Sequence, residues 1–478
     1  MKHTTLLLLL LGSLLRADAQ DANYWSSYYG PGGFFAPGAV IANNKDSGVL
    51  FYNPALLALS HKKAVSISGS IYQLDAIKIK SGAGTGKDLL SRNTSSVPQM
   101  LTGTVMLGKK KPVYISYALI NAAILNFSAS QRHEAQMNVL HDSYSPGSEY
   151  YIGQLTLQNQ IKESTALLSA GFRLNARWAV GVTAEGASYR QHYTENVVSR
   201  ALINNTSGDA LRLASNELLY QVSYSHIGTR LKAGLAYEYN KHHVGLMVTS
   251  PLLHIGGQAT LVSDIAIANI RDVYSGDPFN VLASTRQTKL KPVVKTPLSF
   301  AAGYAYDHAK GQVYMAAEYF FRIKEYNIIT PRNEYFLRPD TGNNNVITSA
   351  LLKLKDVRRA VFNVAVGASY NIKEDITTYC SFRTDFAYAD NSLYTNGTGF
   401  TPYTAAWNNF HCQLGANLRR KKYNLRAGFL LAYGQTDKYL QAVNFDQPND
   451  DNYLLGDAVN TKANHFLAGF MLAFIHNL

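Results

Sequence analysis

The chain has 478 residues, 46% hydrophobic and 12% aromatic, with 32 Tyr against 3 Trp, 16% charged residues and a formal net charge of +13. A soluble domain carries about 25% charged residues, and a helical membrane protein shows several apolar runs of about 20 residues; this sequence fits neither description. Its positive charge comes without an aromatic-basic recognition motif, so nucleic acid is not an expected partner, and the basic residues better suit anionic headgroups or a lumen that meets solutes.

Residues 1–19 read as an export signal. Lys2 and His3 precede an apolar stretch, Leu6 to Leu15, too short to span a bilayer, and Ala17-Asp18-Ala19 is a small-x-small cleavage site. Residues 20–63 have a different character. Tyr24 to Gly38 is rich in Tyr, Gly, Pro and Phe, with a turn cluster at Gly30-Pro31-Gly32-Gly33, and short helical pieces are expected at 39–42 and 53–59. Such a segment either trails below a membrane domain or folds into its interior, and its apolar content favours the interior.

From Ala64 to Leu478 the pattern has the period of two that marks strands. Phe410, Cys412, Leu414, Ala416 and Leu418 alternate with Asn409, His411, Gln413, Gly415, Asn417 and Arg419; Tyr423, Leu425, Ala427, Phe429 and Leu431 alternate with Asn424, Arg426 and Gly428. Sixteen segments can be marked, among them 150–161, 165–175, 177–192, 218–227, 229–240 and 243–262. Many run longer than the ~5–6 residues usual in soluble sheets and suit tilted membrane strands. Short turns at 175–177, 240–242, 307–311, 371–375 and 420–422 alternate with long polar stretches at 194–217, 255–295, 324–359, 389–406 and 435–463. Short turns on one side and long loops on the other predict a transmembrane antiparallel β-barrel with both termini periplasmic and an even strand count. The closing strand ends in Leu478 rather than in an aromatic residue.

Other chemical signals are thin. Gly82-Ala83-Gly84-Thr85-Gly86-Lys87-Asp88 lacks the glycine spacing and the Ser/Thr of a phosphate loop and reads as a turn. His242-His243 has no second ligand cluster at metal spacing, and no nucleophile–base arrangement stands out, so neither a metal, a cofactor nor an enzymatic activity is expected. Cys380 and Cys412 fall on lipid-facing positions of consecutive strands; they are either free thiols or, in an export-competent chain, a disulfide across a hairpin.

Gly38-Ala39-Val40-Ile41-Ala42 followed by Tyr52-Asn53-Pro54-Ala55-Leu56 resembles the N-terminal signature of the FadL family of long-chain fatty-acid and aromatic-hydrocarbon transporters. Further pieces agree in order: Val244-Gly245-Leu246 with Ser250-Pro251, Thr296-Pro297-Leu298-Ser299-Phe300, Val366-Gly367-Ala368-Ser369-Tyr370 and Leu414-Gly415-Ala416. The resemblance implies a barrel of about 14 strands over 64–478, with 20–63 as an internal hatch to which Asn53, Pro54 and Ala55 belong.

It implies a monomeric, passive channel in the bacterial outer membrane, set among lipid and lipopolysaccharide, for a hydrophobic small molecule such as a long-chain fatty acid. Arg173, Arg230, Lys232, Arg419 and Arg426, with apolar Leu467 and Met471, are the candidate lumen contacts. The arginines and lysine either hold a carboxylate or pair with lumen acids such as Glu238 and Glu318. The alternative is a structural or secretion-associated barrel that binds protein partners through its long loops.

Overall fold

The computed structural model describes residues 22–25, 41–42, 49–60, 64–108, 112–204, 211–271, 277–337, 347–395, 398–401 and 406–478. The expected export signal and the Gly30–Gly33 cluster lie outside them. Where apolar and polar residues alternate, the chain forms strands: β1 (Ala64–Ile79), β2 (Leu89–Leu107), β3 (Val113–Met137), β4 (Glu149–Arg173), β5 (Trp178–Ile203), β6 (Arg212–Tyr239), β7 (His242–Thr249), β8 (Leu253–Arg271), β9 (Pro278–Leu290), β10 (Ser299–His308), β11 (Gly311–Phe320), β12 (Ile323–Ile329), β13 (Leu354–Arg358), β14 (Val361–Asn371), β15 (Ile376–Asp385), β16 (Asn408–Arg419), β17 (Tyr423–Leu440) and β18 (Asn460–Asn477).

A closed antiparallel barrel of 14 strands contains β1–β7, β10, β11 and β14–β18, and it is sealed where β1 pairs β18 from Ala64↔Asn477 to Ile79↔Ala463. The fold class and strand number expected from the resemblance are both found. The sixteen marked segments shrink because two breaks are not breaks. Segments 150–161 and 165–175 are one strand, β4, whose ladder runs on through Lys162↔Arg190 and Glu163↔Tyr189. Segments 218–227 and 229–240 are likewise β6, with Gly228 still paired to Ala187. A lumen carboxylate and a glycine interrupt the apolar rhythm without interrupting backbone pairing.

Three expected loops are also corrected. Of the 194–217 stretch, β5 takes the residues up to Ile203 and β6 those from Arg212. Residues 255–295 are largely β8 and β9: β8 continues upward from β7 along the same partner, β6, after a break at 250–252, and β9 pairs β8. The 324–359 stretch carries β12, β13 and a helical turn, Thr348–Leu351. Polar residues in these stretches face water outside the membrane, so they mark height rather than loop. The short turns fall as expected, Asn240 among them, with a φ of 55°.

The outer face shows where the bilayer ends. On β4 the outward residues are Gln158, Gln160, Lys162 and Ser164 in the upper half, then Ala166, Leu168 and Phe172 below. The change at Ser164 is level with Asn121 on β3 and Ser188 on β5. Below that line Leu119, Leu168 and Leu231 are 58%, 59% and 55% exposed, and Phe429 on the opposite wall is 64% exposed. Such a band of outward apolar side chains is placed by lipid, not water, and a closed barrel wearing it is an outer-membrane architecture.

The wall is not level. β3 to β6 contain 25, 25, 26 and 28 residues, against ~9–11 needed to cross a bilayer. This tall wall encloses an upper chamber closed by returning loops, in which Phe336, Leu354, Phe400 and Phe445 are buried against Phe127, Tyr151 and Leu261. Phe336→Ala will cost about 3–5 kcal/mol of local stability through the cavity it leaves. It will show as faster protease cutting within 321–360 while the barrel stays intact.

The glycine-rich turn at 82–88 has a structural task. Asp446, from the β17–β18 connection, accepts from Thr85 N at 2.6 Å and Lys87 Nζ at 2.7 Å. Partial burial pushes the Asp446 carboxyl up, but the hydrogen bonds from Lys87 and Thr85 outweigh it and hold the pKa at about 2. A carboxyl depressed on folding stabilises above its unfolded pKa, and that contribution is lost as pH falls through about 2. Asp446→Asn will therefore loosen this staple at neutral pH, seen as several-fold faster cleavage after Lys87, and the native–variant difference will shrink below about pH 3.

Candidate functional site

The described pieces of the N-terminal segment pack against inward-facing residues of the barrel wall. Asn53 caps the short 3₁₀ turn Pro54–Leu56: its Oδ1 accepts from Ala55 N at 3.1 Å, while Nδ2 donates to Ile41 O at 2.8 Å and to Leu235 O of β6 at 3.2 Å. One side chain thus ties the turn to its own segment and to the wall. Pro54 fits the first position of such a turn, where no N–H is needed.

Glycines in the wall make room for it. A Cβ at Gly181 would run into Pro54, and one at Gly234 would run into the Asn53 side chain. Farther round, a Cβ at Gly245 would strike Ile41 O, and one at Gly171 would come within 2.9 Å of Leu57 Cβ. Leu50, Ala55, Leu56, Leu57 and Ala58 are buried against Met100, Tyr114, Ile120 and Leu167 of the wall.

Higher up, Trp25 donates from Nε1 to Glu318 of β11 at 2.8 Å and from its backbone N to Asp385 of β15 at 2.9 Å. Ser299 Oγ donates to the other Glu318 oxygen at 2.6 Å. Asn23 Nδ2 donates to the carbonyls of Asp385 and Trp407, at 2.6 and 3.1 Å. Tyr24 stacks on Phe320, ring centroids 4.2 Å apart.

Between this segment and the wall lie two small cavities. One, of about 120 Å³, is bounded by Trp25, Phe51, Tyr52, Lys232, Glu318 and Phe320. The other, of about 140 Å³, is bounded by Ile124, Ile161, Glu163, Tyr189, His226 and Tyr388. Tyr24, Phe51, Arg230 and Thr296 border both. Ala187 borders the second cavity from inside and, on the outer surface, an apolar hollow of about 540 Å³ crossing β1–β6 at the membrane boundary.

Arg230, Lys232 and Arg358 on these walls are matched by carboxylates. Glu185 of β5, buried, accepts from Arg230 Nε at 2.8 Å and lies 3.1 Å from Lys232 Nζ. Lys232 also donates to Phe51 O at 3.3 Å and sits 3.8 Å over the Phe51 ring. Arg358 pairs with Asp356 at 2.9 Å, and Tyr326 donates to the same carboxylate at 2.7 Å. Of the five candidate cations, Arg230 and Lys232 pair with an acid, and that acid is Glu185 rather than the expected Glu238, which faces His243 at 3.4 Å, or Glu318, which takes Trp25 and Ser299.

Of the candidate contacts, Arg230 and Lys232 reach the cavities. Arg426 is buried in the lumen and bonds Asn417 at 3.1 Å, away from both. Leu467 and Met471 pack with Tyr379, Leu430, Ala432 and Ala473 as filling of the lower wall. Arg173 and Arg419 are corrected: both are exposed at the short-turn rim, where Arg173 bonds the carbonyls of Asn175 and Ala176 and Arg419 bonds Thr377. Alternation gave their parity but not their height. Cys380 and Cys412 are free and exposed; Cys380 pairs with Leu414 and Cys412 with Phe382, a two-residue offset that leaves no disulfide between them.

Sequence reasoning missed Glu163, Glu185, His226, Tyr24, Trp25 and Phe51. A signal existed for the acids and the histidine: each is a polar residue at an inward position of a strand. Tyr24, Trp25 and Phe51 carried none, since only folding of the segment into the lumen brings them there.

No family model matches the sequence, and no curated protein matches it. Solved structures do. A Pseudomonas aeruginosa FadL homologue aligns at 12% identity over 96% of this chain and 100% of its own, with a TM-score of 0.53. The Pseudomonas putida toluene transporter TodX aligns at 12% identity over 97% and 100%, TM-score 0.52, and the Ralstonia pickettii toluene transporter TbuX at 12% over 96% and 99%, TM-score 0.51. Together with the closed barrel and its lipid-facing band, these likenesses identify the fold as that of the FadL-type outer-membrane transporters.

Proposed function

We propose that the protein is a passive outer-membrane channel for small hydrophobic molecules, working as a monomer among lipid and lipopolysaccharide, with residues 20–63 as a plug that gates it. The observation that carries this reading is the placing of two small cavities directly against the N-terminal segment, so that movement of Tyr24, Trp25 and Phe51 joins or opens them. An engineered apolar cavity of ~150 Å³ takes benzene, and each cavity here is of that order. A single ring fits either one; a long acyl chain needs both joined by displacement of the segment. The likeness to toluene transporters points the same way. No ATP or proton gradient is required, because the solute runs down its own gradient.

The route onward lies through the side of the barrel. Ala187 separates the inner cavity from the outer apolar hollow at the bilayer's edge, so an apolar solute leaves there with the least exposure to water. Ala187→Trp will cut passage at least about tenfold, because the added ring fills the cavity and overpacks the wall.

The test is uptake of labelled toluene and labelled oleate by cells lacking the protein, cells supplied with it, and cells supplied with the Ala187→Trp form. Faster uptake only with the native protein supports transport; equal uptake in all three leaves a scaffold role through the loops as the reading to pursue.

A further inference from the structure

His226 is fully buried on the inner face of β6, and neither of its ring nitrogens has a hydrogen-bond partner among the described residues. It borders the second cavity beside its cross-strand neighbour Tyr189. Its ring contact among the described residues is His254, with centroids 4.9 Å apart. Asn23 borders the same cavity; its Nδ2 is committed to two carbonyls, but its Oδ1 is buried without a partner among the described residues. Buried polar groups are normally satisfied by protein or by an ordered small molecule, and each exception calls for an account. Such groups on residues that border one ring-sized space, the Tyr24 hydroxyl among them, mark that space as built for something that hydrogen-bonds.

The charges narrow what it is. Arg230 and Lys232 are held by Glu185, and Arg358 by Asp356. An anionic headgroup would have to compete with these carboxylates for a cation, and no cation on this wall is left over for it beside Glu163. A neutral group that both donates and accepts has no such competition. A neutral imidazole presents one donor and one acceptor, and an amide oxygen accepts, so a hydroxyl complements either residue. Apart from Asn23, His226, Thr296 and these charged groups, the lining is aromatic or aliphatic, with Tyr24, Phe51, Tyr189 and Tyr388 beside Ile124 and Ile161.

We propose that this cavity selects a neutral aromatic ring bearing a hydroxyl, such as phenol or a cresol, over the bare hydrocarbon, with His226 as the residue that reads the hydroxyl. The assignment rests on the channel reading above and names the solute class for it. A site whose polar groups are paired by the ligand's hydroxyl rejects the analogue that leaves them unpaired, whereas an apolar site hardly distinguishes the two.

Phenol and toluene form a matched pair, differing by hydroxyl against methyl. Binding of each is measured at pH 7 to the full chain in nanodiscs, with empty nanodiscs subtracted to remove partitioning into lipid. The same is done for His226→Phe, which keeps a planar ring and removes both nitrogens. The expected result is a shift of the phenol-to-toluene affinity ratio toward toluene of at least about tenfold in the variant, one hydrogen bond's discrimination. As a readout that needs no variant, the ¹⁵N shifts of the histidine side chains in the native protein should move for one residue on adding phenol and for none on adding toluene.

If both ligands bind and neither the ratio nor the shifts respond, His226 does not read the ligand and the inference falls while the channel reading stands. If neither ligand binds the native protein, the channel reading fails and takes the inference with it.

Discussion

Replacing Gly181 and Gly234 together by leucine will push the N-terminal segment off the wall it packs against. The two glycines lie against Pro54 and Asn53, where even a single added carbon collides. Overpacking costs about 1–3 kcal/mol per site, which raises the displaced population by about thirtyfold to more than ten-thousandfold if the two add. The readout is a cysteine at Ala58, which is 0% exposed, in a background with Cys380 and Cys412 changed to serine. Labelling by a water-soluble maleimide should be slow with the glycines present and at least about tenfold faster without them. Asn53→Ala should give a rise of the same order, since it removes three hydrogen bonds worth about 1 kcal/mol each. A folded double-leucine protein whose Ala58 position stays unreactive would show that the segment is not held by this fit.

The second large effect concerns Glu185. Removing it strands Arg230 and Lys232, the latter only 4% exposed, in the middle of the lumen. Breaking a buried ion pair by deleting one partner costs about 3–5 kcal/mol, mostly the penalty of the charge left behind. Glu185→Leu should therefore unfold at clearly lower urea than the native barrel, with an unchanged slope. Adding Lys232→Met to it should recover part of the loss, because the orphaned ammonium goes with it. No recovery in the double variant would mean that Glu185 acts through some contact other than this pair.

The barrel is legible in the order of residues alone because a lipid-embedded strand has no alternative to period-two alternation. Phe410 to Leu418 and Tyr423 to Leu431 show this in its simplest form, and their register follows. Height along the barrel is not legible in the same way. Arg173 and Arg419 have inward parity by alternation yet end up exposed at a rim, and the residues at 255–295 read as a loop because water outside the membrane tolerates polar outward positions. The site is half legible for a related reason. Arg230 and Lys232 stand out as inward charges, but their partner Glu185 lies some 45 residues away in the chain, and only strand pairing brings it near. Asn53-Pro54-Ala55 is readable as a motif; the glycine recesses that receive it are scattered over β4 to β7 and have no local signature.

The uneven rim of the barrel has an ecological consequence. The 28 residues of β6, less those crossing lipid, carry that side about 40 Å above the bilayer at ~3.3 Å per residue and the usual tilt. That is a tower rather than a ring, and its top stands among or beyond whatever sugars coat the cell. A greasy compound arriving from outside would first touch protein, not carbohydrate. Strains differing only in the length of their surface polysaccharide should then feed through it almost equally well.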